Sequence, residues 1–211
     1  MEKLIIIGLI ATSINGLAQS AADRLKEQEY PITFFTPLST NGWDYDQYVN
    51  KVSINLFAGH NGAVNGVELG GFWNSDLYYM KGIQVSGFGN SVGTDVNGIQ
   101  AAGFTNIVKG RAEGFQAAGF NNFVGKDFKG IQAAGFVNTN LDSLTGLQAA
   151  GFGNFSKGKV EGVQASGFIN TSLGDSRAIQ GSGFINVNGG DLKGGQGTGF
   201  VNVNKGDLEG V

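Results

Sequence analysis

The chain has 211 residues, room for one ordinary domain or one repeat array. It carries 37 Gly, 16 Phe, two Pro, no Cys and a net charge of -3. The charge removes any electrostatic case for nucleic acid. The lack of Cys removes disulfides, thiol catalysis, zinc-thiolate sites and the lipid-attachment residue of a bacterial lipoprotein; the Phe content excludes a disordered chain.

The N-terminus reads as a targeting segment. Lys3 supplies a positive charge, Leu4 to Ile14 is apolar, and Gly16 and Ala18 are small residues placed for cleavage before Gln19. The apolar run of about 11 residues is well short of the ~20 that span a bilayer. Residues 1–18 are therefore expected to be a signal peptide. Residues 20–29 are polar and read as loose. Pro31 to Leu38 (PITFFTPL) and Val52 to Gly59 (VSINLFAG) read as strands around a polar loop with Trp43 and Tyr45. Gly62 to Gly66 resembles the end of a degenerate unit, so residues 19–66 are expected to form an N-terminal cap.

From Val67 the chain divides into nine blocks of 16 residues without insertion or deletion, through 67–211. Position five is Gly in all nine, position six Phe (Phe72 to Phe200) and position eight Asn (Asn74 to Asn202). Position two is Gln except for Glu68, and position sixteen is Gly except for Ala178. Positions three and four are mostly small, position fourteen is usually apolar and position fifteen usually polar. Positions ten to thirteen carry turn residues. The array breaks off at Val211, the first residue of a tenth unit, so the chain is expected to be a truncated part of a longer protein.

Fixed Gly at two places per unit costs about 1 kcal/mol each in a helix interior, which excludes helices. The unit reads instead as a strand over its first four positions, a corner at the Gly, a second strand from the Phe and a polar turn. The fold class is all-β. The preferred architecture is a β-solenoid with one unit per coil, in which identical positions stack at about 4.8 Å. Phe would then form an aromatic stack, Asn and Gln would form internal amide ladders, and the small residues would let two walls approach. The alternatives are an antiparallel meander or an outer-membrane β-barrel, whose strands would run from position fourteen to position nine. Like-on-like demand for Asn and Gln favours the solenoid. The Phe column is read as core, and the N-terminal segment as the atypical cap that a solenoid needs.

The blocks GIQAAGFTN, GFQAAGFNN, GIQAAGFVN, GLQAAGFGN and GVQASGFIN resemble a family of bacterial surface repeat-containing proteins. That family is built on tandem G-[VI]-Q-x-[AS]-G-[FL]-x-N units behind a signal peptide. The lead-in PITFFTPLSTNG and VSINLFAGHNGAVNGVELGGFWN is similar to the family's N-terminal region. The resemblance implies export to the Gram-negative cell surface or outer membrane. It implies no catalytic activity, cofactor or known ligand.

Candidate chemistry is sparse. His60, the one His, sits in a GHNG stretch read as a surface turn. Asp95, Asp127, Asp175, Asp191 and Asp207 recur at position thirteen and faintly resemble calcium-binding nonapeptide repeats, but the period is 16 and the column also holds Arg111 and Lys159. They are read as turn formers. GFGNSVG lacks the Lys-Ser/Thr ending of a phosphate loop. A carbohydrate-active β-helix should show acidic clusters that break the repeat, and an ice-binding solenoid a flat Thr array; neither pattern is present. The expectation is a non-enzymatic, exported structural or interaction protein with no catalytic, cofactor or metal residues. Its partner would be a surface glycan or protein, with possible outer-membrane association. The alternatives are an integral outer-membrane barrel and a carbohydrate-binding or carbohydrate-active β-helix.

Overall fold

The computed structural model describes residues 24–35 and 38–211, so the expected signal peptide lies outside the described residues. Strands make up 68% of the structure and helix 3%. The repeats form a parallel β-solenoid of about 10 turns, one 16-residue unit per coil. A mid-array coil has a long strand Phe128–Ala134, a corner at Gly135 and Phe136, a short strand Val137–Asn140 and a turn over 141–143. The second strand therefore starts one residue after the Phe, which lies in the corner itself.

Each strand pairs in parallel with its equivalent 16 residues on: Phe128 with Leu144, Gln132 with Gln148, Val137 with Gly153. Parallel pairing sets aside both the antiparallel meander and the barrel, since outer-membrane barrels are built from antiparallel strands.

Strand alternation sorts the unit. Positions fourteen, two, eight and ten face inward, and positions fifteen, one, three, seven and nine face outward. The lumen has two sectors. Positions ten and fourteen meet in the other sector, which is apolar where Val92, Val108 and Val124 lie near Met80, Phe128 and Leu144, all at most 1% exposed, and turns polar at position ten from Asn140 onward. Positions two and eight meet as amides.

The two amide ladders run in opposite directions. Each Gln donates toward the N-terminus: Gln116 Nε2 to Gln100 Oε1 at 2.7 Å and Gln132 Nε2 to Gln116 Oε1 at 2.9 Å. Each Asn donates toward the C-terminus: Asn122 Nδ2 to Asn138 Oδ1 at 2.9 Å and Asn138 Nδ2 to Asn154 Oδ1 at 2.9 Å. The Asn amide also donates to the backbone carbonyl of position three in the next coil, as Asn138 does to Ala149 O at 2.7 Å. Two donors on a short stem explain why this position is Asn and not Asp or Gln. Buried polar groups paired in this way avoid the cost of burying an unmet donor.

Two Gly columns follow from coil stacking. At position sixteen the backbone has positive φ, +134° at Gly130, and a Cβ would collide with the carbonyl oxygen of the Gly one coil earlier. Ala178 breaks the column and does not adopt positive φ. At position five φ is ordinary, yet a Cβ on Gly135 would still collide with the Gly119 carbonyl. The small residues at positions three and four do not bring two walls together. Position three points outward, and both rows line an external groove.

The Phe column is not core. Its rings stack as expected, with centroids 4.7–5.0 Å apart from Phe72 to Phe200, but they do so outside the coil, and Phe136 is 40% exposed. The corner at Gly135 resets the alternation that would have turned an even-numbered position inward.

The cap is built on one irregular coil. Strand β4 (Tyr48–Asn61) pairs in parallel with β5 (Ala63–Gly70) through Val52 and Val67, and with β6 (Trp73–Asp76) through Ala58 and Trp73. On its N-terminal side lie β1 (Lys26–Gln28), paired with Tyr48 to Asn50, and β2 (Ile32–Phe35), paired with Ile54 to Ala58. The segment 26–28 is thus a strand and not loose. Strand β3 (Leu38–Ser39) folds back on β2, and Trp43 and Tyr45 sit in a 3-10 helix over Gly42–Gln47.

Candidate functional site

The site is a face, not a pocket of reactive groups. In the nine repeats, positions one to nine hold one charged residue, Glu68, and it is buried. Outward-facing charge is confined to positions eleven to fifteen. The solenoid is therefore amphipathic around its circumference, with a charge-free half and a charged half.

The charge-free half carries an apolar relief in register from coil to coil. One ridge is position one, with Ile99 43% and Ile131 48% exposed; the other is the Phe stack at position six. Between them in sequence lies a trough of about 1050 Å³, lined by Ala, Gly and Ser of positions three to five from Val85 to Ser182. It continues past Leu69 to Leu56, and from Leu56 to Ile32, Phe34 and Leu38 of the cap. Large contiguous apolar patches on soluble proteins are characteristic of interaction faces. The sequence signal for it is the absence of charge from positions one to nine apart from Glu68.

The ring planes of successive Phe differ by 0–16° along the array. From Phe72 to Phe184 both faces of each ring are covered by neighbours, and the edges face solvent. A row of this kind offers grease to a packing partner and no open ring face to a sugar. The Gln and Asn columns are equally closed to a glycan, because they lie inside the coil.

The charged half is a solvated edge. Lys129 Nζ meets Glu113 Oε1 at 3.0 Å and Lys159 meets Glu161 at 2.5 Å, with all four side chains largely exposed. The Asp residues of position thirteen are turn formers: Asp95 Oδ1 accepts the Arg111 N–H at 2.8 Å, and Asp175 Oδ1 accepts the Asp191 N–H at 3.0 Å. His60 is exposed near the end of β4, not in a turn, with its ring 5.7 Å from that of Tyr45. Among the described residues no group of three or more His, Cys, Asp or Glu is arranged to hold a metal.

A buried carboxyl pair escaped the sequence reading. Glu68 and Asp76 lie at 0% and 2% exposure where the cap meets the array. Gln84 Nε2 donates to both, at 2.6 and 2.8 Å, and Asn61 Nδ2 does so at 2.5 and 3.2 Å. Burial raises both acids: Glu68 to about 7 from 4.5, and Asp76 well above its ordinary value, with the Glu68 charge as its second cause. The pair could be mistaken for a glycosidase dyad. It is sealed in the lumen, and its role is to end a ladder. The Gln column donates toward the N-terminus, so its first rung must accept from Gln84, which the Glu68 carboxyl does. Asn55 then links the ladders, donating to Glu68 Oε1 at 2.7 Å and to Asn74 Oδ1 at 2.8 Å. It fills the place left by Gly59, which pairs with Asn74. The signal was present in sequence: Glu68 is the one non-Gln at position two, and Asp76 the one acid at position ten.

The fold and face together define a capped parallel β-solenoid with one charge-free side. Comparison with protein-family models, with curated proteins and with solved structures returns no match.

Proposed function

We propose that the chain is an exported, non-enzymatic structural or interaction protein of the Gram-negative cell surface or outer membrane, engaging a macromolecule through its charge-free half. The observation that carries this reading is the unbroken apolar relief from the cap to Ser182. A chain serving only as a spacer would be expected to alternate charge around its whole girth. Export is supported by the N-terminal pattern of Lys3, Leu4 to Ile14 and Ala18, and by the resemblance of the repeats to bacterial surface proteins. Of the two partner chemistries, protein is favoured over glycan, because the Phe faces and the amides are already occupied.

Expression of the chain with its own N-terminus in a Gram-negative host tests the reading. The expected result is a processed protein in the envelope fraction, degraded when intact cells are treated with protease. Recovery of the unprocessed chain in the cytoplasm contradicts it.

A further inference from the structure

We propose that the charge-free half is covered by a second copy of this chain, forming a side-by-side two-fold dimer with ridges in grooves. This rests on the reading of that half as an interaction face.

The first argument is period. The relief repeats once per coil, as the Phe centroids at 4.7–5.0 Å show. An extended peptide repeats its side chains every ~6.7 Å on one face, and its register drifts against the coils within a few residues. A second solenoid has the same spacing, so every coil meets an equivalent coil.

The second is shape. A two-fold axis parallel to the solenoid axis reverses the order of rows across the face. Displaced by half the ridge-to-trough distance, it seats the Phe ridge of each copy on the Ala/Gly floor of the other. The contact is isologous and closes at two copies. The small residues at positions three and four then have a purpose: Ala117, Ala133 and Ala149 leave room for the partner's Phe edges.

The third is area. Nine coils at about 4.8 Å, crossed by the about 17 Å from position one to position six, present about 700 Å² per copy. A standard stable interface uses about 800 Å² per partner. The cap residues Ile32, Phe34, Leu38 and Leu56 extend the same trough beyond the nine coils. Charge is the fourth. A membrane surface would call for basic residues around the apolar face, whereas the flanking charges are mixed and the chain carries -3.

The test is sedimentation velocity of the purified protein in detergent-free buffer at micromolar concentration. The expected species has twice the mass of the chain. The double substitution Ala117→Glu/Ala149→Glu, on outward positions, is expected to give a monomer with unchanged β-type circular dichroism, and Lys129→Glu on the charged half to leave the dimer intact. A monomeric wild type overturns the proposal, and so does a folded Ala117→Glu/Ala149→Glu variant that remains dimeric. Flotation of a monomeric wild type with phosphatidylethanolamine/phosphatidylglycerol vesicles separates the two failures. A monomer that floats overturns the second copy and keeps the interaction face. One that does not float overturns the second copy and excludes a lipid surface as the occupant.

Discussion

Single side chains in this solenoid are judged by whether their hydrogen bonds continue from coil to coil. Asn138 accepts from Asn122 and donates to Asn154 and Ala149 O. Asn138→Ala is expected to cost about 3 kcal/mol, roughly one for each bond lost, while Lys129→Ala on the exposed edge stays within about 0.5 kcal/mol. Urea unfolding measures both, and equal effects would remove the ladder as a source of stability. Asn140 is the opposite case. It is buried at position ten between Val124 and Ser156, and neither its Oδ1 nor its Nδ2 has a partner. Asn140→Val, which continues the valine row of the earlier coils, is expected to raise stability by about 1 to 3 kcal/mol, the cost of an unmet buried amide. A loss of stability in the same assay would show that the amide is satisfied. For Phe136, 40% exposed and stacked on both sides, truncation to Ala is expected to cost about 2 kcal/mol, below the 3–5 of an enclosed Phe.

Within a coil, the corner and the cap decide what the sequence could reveal. The 16-residue period and the inward Gln and Asn were legible, because strand alternation and like-on-like stacking leave marks in sequence, whereas the small residues read as lying between two walls line the outer groove instead. The side of the Phe was not. Position six is even-numbered and would face inward on a continuous strand, but Gly135 and its equivalents turn the chain just before it. Strand 26–28 was hidden because it is three residues long and polar, lying on the cap edge where it pairs with Tyr48 to Asn50 and sets Glu27 against Lys51. The Glu68–Asp76 junction has a consequence for pH. The side chains facing it are the amides of Asn55, Asn61 and Gln84. Folding raises the Glu68 carboxyl from 4.5 to about 7, so between these values the native state holds a proton that the unfolded chain has released. Stability therefore falls as pH rises from about 4.5 through 7, and Asp76, raised as well, adds to the fall. Thermal unfolding is expected at higher temperature at pH 5 than at pH 8, with the difference reduced in Glu68→Gln. A pH-independent transition, or one that rises with pH, contradicts this account of the junction.

At the scale of the whole molecule, one geometric rule organises the array: each residue lies beside the residue 16 positions away, in the same orientation. Both ladders, both Gly columns, the stacked rings and the amphipathic girth follow from it. The rule is open to a direct test because the chain has no Cys. Lys129 and Thr145 are paired across adjacent coils on the exposed edge, where parallel neighbours at about 4.8 Å fall within the Cα separation that a disulfide accepts. Lys129→Cys/Thr145→Cys is expected to form an intrachain disulfide under mild oxidation, and Lys129→Cys/Glu161→Cys, two coils apart, is not. Failure of the first pair to close within the chain, or closure of the second as readily, would contradict a one-unit-per-coil parallel solenoid.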